Sequence, residues 1–374
     1  MSFWQRHRKK FITFGVVSAV GAGGLYLLNK YVDHRIAQQK EEEDQRKFKQ
    51  YQKQQQFENT LNIAGQTNKN ALFPALKRII GETLKTSDIL LELKTNSSNL
   101  ELWKELKSLV LGKSLAIVIC GTFVDFLVKI QLNILAGYNV NNNNPISTQT
   151  QEHFLSLCQL FISKQVEKWT KDELMPKVTQ TMENVELTQK YDLTLLQALL
   201  MEILSEIKFG DNLPEFLLPI NELPWSSMSS TESTHLKTLI AETMDVLEHK
   251  DFFTVLQKCF ISSCNEFLDK LAESMPSTDL LNQNFPLAKL IPKLDKTFQA
   301  LSEPLPSNPQ MQLFVANVFE TFCNSSWWMM VVKQLVCAKI EYQCQRLTAL
   351  ISIKSLRVSI KVGMKCQFYI LKYA

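Results

Sequence analysis

The sequence lacks most of the signals that mark enzymes and nucleic-acid-binding proteins. Its 374 residues include only 11 glycines, 12 prolines and 5 histidines, and its net charge is +4. No histidine stands at a metal-ligand spacing from a Cys, Asp or Glu, and GxSxG, Walker A and kinase signatures are absent. We therefore predict no catalytic, cofactor-binding or metal-binding residues. A small, dispersed charge also gives little support to nucleic-acid binding.

Paired cysteines are missing as well. None of the eight cysteines forms a Cys-x-x-Cys pair, and Cys120, Cys158, Cys264 and Cys323 stand among apolar residues. This pattern predicts small buried side chains in a reducing compartment, and it argues against a disulfide framework or a zinc site. We expect the soluble part of the chain to face the cytosol.

Residues 11–29 form an apolar run without a single charge, directly after the basic N-terminus of residues 1–10. A helix of this length rises about 27 Å, close to the hydrocarbon thickness of a bilayer. No small-residue cleavage site follows, as a signal peptide would require. We predict a transmembrane helix over 11–29, although a buried soluble helix is a second interpretation. The positive charges on its two sides are nearly balanced and do not decide its orientation.

Residues 30–57 mix acidic and basic side chains with many glutamines. A helix that is polar on all sides cannot form a core, so this stretch predicts a solvated helical stalk. Attraction to anionic lipid is the weaker alternative, because the charges are of both signs.

Residues 58–323 carry repeated 3.6-residue apolar patterns, which predict a large, elongated helical bundle of roughly eight to ten helices. The longest pattern opens at a predicted capping box, Ser98 to Glu101, and runs to about Gly137. Lys113 and Asp125 bracket only eleven apolar residues at its centre, too few to cross a membrane. We therefore predict a central helix buried by its neighbours. The fold class is all-α.

The tail, residues 324–374, differs from the rest. Trp327–Val332 is strongly apolar, and residues 355–365 alternate apolar with polar or basic side chains. A membrane-surface segment, a poorly structured segment and an atypical end of the gene product all remain open for it.

Trp103 supports two interpretations. Leu100, Trp103 and Lys107 share one face of the predicted helix, beside a stripe of leucines. Trp103 could be an ordinary core residue. Because charged residues surround it, it could equally be an aromatic anchor for a partner helix.

Several segments together resemble the peroxisomal biogenesis factor 3 (peroxin-3) family. In family order, they are Arg6–Lys10 before the apolar run, Asn29–Tyr31, Leu100–Lys107, Lys129–Tyr138, Pro286–Pro292 and Phe314–Phe319. The resemblance covers about residues 3–323 and leaves the tail unmatched. It implies a single-pass peroxisomal membrane protein, whose bundle faces the cytosol and docks the import receptor peroxin-19. Such docking serves the insertion of peroxisomal membrane proteins and peroxisome assembly. A membrane-tethered helical enzyme or lipid-binding protein is the alternative.

The resemblance also implies where the receptor binds. An amphipathic receptor helix would lie in a groove, and the family's contacts carry over onto Leu93, Trp103, Leu106, Lys107 and Lys289. One basic position of the family is Asn99 here, so that contact does not carry over. The other implied partner is the lipid of the peroxisomal membrane.

We predict that residues 1–45 suffice for membrane attachment, because 11–29 is the one uninterrupted apolar run of sufficient length. These residues, fused to a soluble reporter, should stay in the membrane pellet during alkaline carbonate extraction. Release of the reporter into the supernatant would contradict the prediction.

Overall fold

The computed structural model describes residues 34–35, 38–96, 98–141, 146–207, 209, 212–275 and 285–323. The predicted anchor, residues 11–29, and the tail, residues 324–374, lie outside the described residues. The chain divides into two units, Met1–Gln56 and Phe57–Ala374.

In the first unit, residues 38–56 are helical and nearly all of their side chains are exposed. Even Phe48 and Tyr51 are more than 60% exposed. Arg46 and Glu42 form an ion pair one turn apart, at 3.6 Å. These residues are therefore a solvated helix, as their mixed charge predicts.

Within its described residues, the second unit is mainly helical. It begins with helical residues 57–67 (α1) and a π-helical turn, Asn68–Leu72. The later α-helices are α2 Phe73–Thr83, α3 Ser87–Thr95, α4 Leu100–Asn141, α5 Thr148–Leu160, α6 Val166–Trp169, α7 Met175–Glu183, α8 Leu193–Glu206, α9 Leu213–Leu217, α10 Ser230–Glu248, α11 Lys250–Glu273, α12 Leu287–Ala300 and α13 Pro309–Cys323. Two short strands, β1 (Lys190–Tyr191) and β2 (Phe285–Pro286), pair antiparallel. This strand pair has no alternating pattern in the sequence.

Helix α4 lies at the centre of the second unit, and α2, α3, α5, α7, α8 and α10–α13 all contact it. Within the described part of the chain, it alone is long and apolar enough to cross a membrane. However, 89% of its most apolar 18-residue window is buried inside the protein. The position of α4 agrees with the predicted central helix, because its neighbours cover its apolar surface.

The two charges that bracket the apolar centre of α4 are themselves buried. Lys113 Nζ lies 2.9 Å from Asp295 Oδ1 on α12 and donates to Thr86 Oγ1 at 2.8 Å. Asp125 pairs with Lys129 at 2.5 Å. A buried charge requires a close, well-oriented partner to offset its desolvation. With these partners, α4 can be buried at the centre of the unit although its sequence contains charged residues.

The start of α4 differs from the predicted capping box. Asn99 is the N-cap, since its Oδ1 accepts from the backbone N–H groups of Glu101 at 3.1 Å and Leu102 at 3.4 Å. Ser98 instead donates from its hydroxyl to Asn96 Oδ1 at 3.1 Å. The capping box is therefore wrong by one residue. Asn and Ser cap helices about equally well, so the sequence pattern did not separate them.

Near its C-terminal end, α4 approaches α13 closely. A Cβ added at Gly137 would lie 2.5 Å from Phe322 Cβ and 3.2 Å from the Phe322 carbonyl carbon. The next residue, Tyr138, stacks on the Phe322 ring at 6.4 Å between centroids. The absence of a side chain at Gly137 permits this contact.

We expect Gly137→Ala to lower the free energy of unfolding by about 1–3 kcal/mol, because the added methyl group overpacks the α4–α13 contact. Gly121→Ala, on the same helix, is the matched control, since nothing lies within 4 Å of its added Cβ. That variant should gain about 0.5–1 kcal/mol from helix propensity. Chemical denaturation of both variants measures the difference, and equal effects would contradict the assigned contact.

A partly buried carboxyl also joins α4 to α10. Tyr138 donates its hydroxyl to Glu242 Oε1 at 2.5 Å. Burial raises the pKa of Glu242, and nearby Asp245 adds to the rise, although the bond from Tyr138 opposes it. Because the pKa of Glu242 is higher in the folded than in the unfolded state, its protonated form contributes to folding stability. This contribution is fully present below the usual carboxyl pKa and is lost as pH rises through the raised, folded-state pKa.

We therefore expect Glu242→Gln to be more thermostable than the wild type at pH 8, with the advantage shrinking toward pH 4.5. Glutamine keeps an oxygen that accepts from Tyr138 but cannot ionise. Melting temperatures across this range provide the measurement, with the exposed Glu248→Gln as control. An advantage independent of pH would be inconsistent with ionisation at Glu242.

Candidate partner-binding surface

The five predicted contact residues lie on three helices, of which α4 packs against the other two. Leu93 lies on α3, Trp103, Leu106 and Lys107 lie in the first turns of α4, and Lys289 lies in the first turn of α12. Helix α4 contacts both α3 and α12. The fold therefore brings the three helices together, but the five side chains differ in exposure.

Leu93 and Leu106 are core residues. Leu93 is 6% exposed and Leu106 is fully buried, and both belong to the main hydrophobic cluster. Their burial packs α3 against the start of α4 and removes apolar area from water.

Trp103 is half-buried and packs against the core. Its neighbours Lys104 and Glu105 are exposed, and Lys104 pairs with Glu101 at 2.9 Å. The side chain thus combines features of both interpretations of the sequence. Part of the ring supports α4 and part remains accessible beside charged groups.

Two leucines on the same pair of helices, α3 and α4, are also exposed. Leu100, one turn before it on α4, is 57% exposed, and Leu91 on α3 is 65% exposed. We call Leu91, Leu100 and Trp103 the apolar surface. Leu91 is not among the five predicted contact residues. A signal was present, because Leu91 lies off the stripe of Ile89, Leu90 and Leu93 that packs α3 on the core.

Lys107 does not lie at the edge of a groove, where a basic contact residue would be expected. Its side chain is buried, and Nζ donates to the carbonyl oxygens of Met182 at 2.5 Å and Val185 at 2.6 Å. Burial lowers the pKa of Lys107, and the nearby Lys104 ammonium lowers it further. Lys289 is exposed. Lys107 is therefore buried and Lys289 exposed, a difference that cannot be predicted from residue type alone.

The described cysteines, Cys120, Cys158, Cys259, Cys264 and Cys323, are buried. Cys120, Cys158, Cys259 and Cys264 are free thiols. Burial raises the pKa of the Cys259 and Cys264 thiols to about 12, which leaves them unreactive. Within the ranges that the structure describes, no three His, Cys, Asp or Glu side chains are grouped to hold a metal ion.

Comparison with known proteins places this helical architecture in context. No family model matches the chain. Peroxisomal biogenesis factor 3 of Mus musculus is 27% identical over 371 residues, and that of Homo sapiens is 28% identical over 372; each comparison covers 86% of this chain and 96% of the relative. Peroxisome biogenesis protein 3-1 of Arabidopsis thaliana is 22% identical over 346 residues, covering 83% of this chain and 92% of the relative. The chain is thus a homologue of the peroxisomal biogenesis factor 3 proteins, which confirms the resemblance that its sequence motifs predict.

Proposed function

We propose that this chain is a membrane-anchored docking factor in peroxisome biogenesis, and that its second unit binds an amphipathic helix of the import receptor peroxin-19. The observation that carries the proposal is the exposure of Leu100 beside a half-buried Trp103. The names of the relatives support the process, and the resemblance supplies the receptor.

The apolar surface has the chemistry that this mode of binding requires. A partner helix presents apolar side chains three and four residues apart, which need an apolar surface on neighbouring helices. Leu91 on α3 and Leu100 and Trp103 on α4 provide such a surface. Large aromatic residues that retain accessible area are typical anchors of such interfaces.

The exposed charges would orient the partner. Lys289 at the start of α12 is exposed, whereas Lys107 is bonded within the protein. We therefore assign to Lys289 the long-range attraction of acidic side chains on the polar face of the receptor helix. Exposed charges of this kind act mainly on association rate and its salt dependence.

The remaining parts of the proposal concern the membrane. We propose that residues 11–29 anchor the chain once in the peroxisomal membrane, in contact with its lipids, and that the helical unit lies in the cytosol. The lack of charge in residues 11–29 supports the anchor. The orientation rests on the resemblance to the family.

We expect Trp103→Ala to weaken receptor binding by about 2 kcal/mol or more, hence roughly thirty-fold, because a central aromatic anchor is lost. The full chain in lipid nanodiscs would be titrated with a labelled peptide from the receptor N-terminus, and the melting temperature of each variant would be recorded. Since Trp103 is only half-buried, the melting temperature of the Trp103→Ala variant should fall little.

Trp169→Ala is the matched control for a core tryptophan. Trp169 is 8% exposed and stacks on Phe209 at 6.2 Å. Its loss should cost about 3–5 kcal/mol of stability, as for other large buried side chains. Normal peptide affinity in a well-folded Trp103→Ala variant would remove Trp103 from the site.

A further inference from the structure

Residues 184–191, which we call the connecting segment, link the start of α4 to the start of α12. At one end, Lys107 Nζ donates to the Met182 and Val185 carbonyl oxygens, where α7 finishes and the segment begins. The last carbonyls of a helix have no partner within the helix, and the C-terminal end carries partial negative charge. The Lys107 ammonium group donates to these carbonyls and places a positive charge beside the negative end of α7.

The other end of the connecting segment holds the first residues of α12. The backbone N–H of Leu287 donates to the Gln189 carbonyl at 2.9 Å, and that of Ala288 donates to the Leu187 carbonyl at 3.1 Å. The β1–β2 pair, with Tyr191 opposite Phe285, continues the same contact. The first N–H groups of a helix also lack intrahelical partners. The connecting segment therefore supplies the acceptors that position the start of α12.

We propose that Lys107 is a positioning residue for the partner-binding surface, acting through the connecting segment. Trp103 lies one turn before Lys107 on α4, and Lys289 directly follows the two residues of α12 that the segment holds. The bonds of Lys107 thus help to set the distance between the aromatic anchor and the exposed lysine, together with the Lys113–Asp295 pair between α4 and α12. The inference rests on the proposed function and changes the role of Lys107 from a contact with the receptor to an internal support.

Charge-assisted bonds to two carbonyl oxygens make this support specific to a long cationic side chain. Methionine at position 107 would fill similar space but remove the ammonium donor from both carbonyls. The Met182 carbonyl would keep a bond from the Val185 backbone N–H at 3.2 Å, so the larger effect is expected at the Val185 carbonyl. Arginine could still donate to both. The pair Lys107→Met and Lys107→Arg therefore separates the bonds from the volume of the side chain.

The test measures peptide affinity at low and high salt, together with amide hydrogen exchange, for the full chain in nanodiscs. We expect Lys107→Met to weaken binding of the receptor N-terminal peptide about tenfold, within the range reported for positions that couple sites indirectly. Exchange at the Leu287 and Ala288 amides should accelerate, while the salt dependence of binding stays unchanged. Lys107→Arg should restore most of the affinity and of the protection.

Lys104→Met is the matched control, because Lys104 is exposed and lies on the same helix. It should leave exchange at Leu287 and Ala288 unaltered. In the wild type, saturating peptide should slow exchange at these two amides, a measurement that does not depend on how well Lys107→Met folds.

Three outcomes would overturn the inference while leaving the docking function intact. The first is an unchanged peptide affinity of Lys107→Met. The second is a reduced salt dependence of binding in that variant, because loss of a direct ion contact would produce it. The third is that the peptide fails to protect the Leu287 and Ala288 amides from exchange. Failure of the wild-type chain to bind the peptide would instead overturn the proposed function and the inference with it.

Discussion

Two of the buried lysines of α4, Lys107 and Lys113, constrain how the rest of the second unit packs. An entirely apolar helix could pack against its neighbours in several registers, because hydrophobic contact is non-directional. Lys107 and Lys113 require hydrogen-bond acceptors at set positions, and the protein supplies the Met182 and Val185 carbonyls to one and Asp295 with Thr86 to the other. Each ammonium group therefore favours those arrangements of the helices around α4 that supply its acceptors.

These two groups also join the elements that carry the proposed site. Thr86 immediately precedes α3, Asp295 lies on α12, and the carbonyls bonded by Lys107 lead into the connecting segment. Leu91, Trp103 and Lys289 thus lie on elements tied to one helix. A receptor helix that touches all three would meet a surface whose geometry is set from within the core.

Several features could be predicted from the residues because they depend on local pattern. The 3.6-residue period predicts helices, and apolar residues one turn apart, such as Leu76 and Ile80 on α2, are fully buried. The eleven-residue spacing between Lys113 and Asp125 correctly predicts a core helix. The N-cap at Asn99 was missed, since neighbouring residues of similar capping ability compete at that position.

The sequence by itself determined the helical class, the central position of α4 and the resemblance to the peroxin-3 family. Periodicity and motif order can be read directly from the order of the residues. What only the tertiary structure decided is the exposure of each candidate residue. Leu91 and Leu93, or Lys107 and Lys289, are alike in residue type but opposite in burial. Burial depends on residues distant in sequence: the carbonyls that bond Lys107 lie 75 and 78 positions away. No local pattern carries that information.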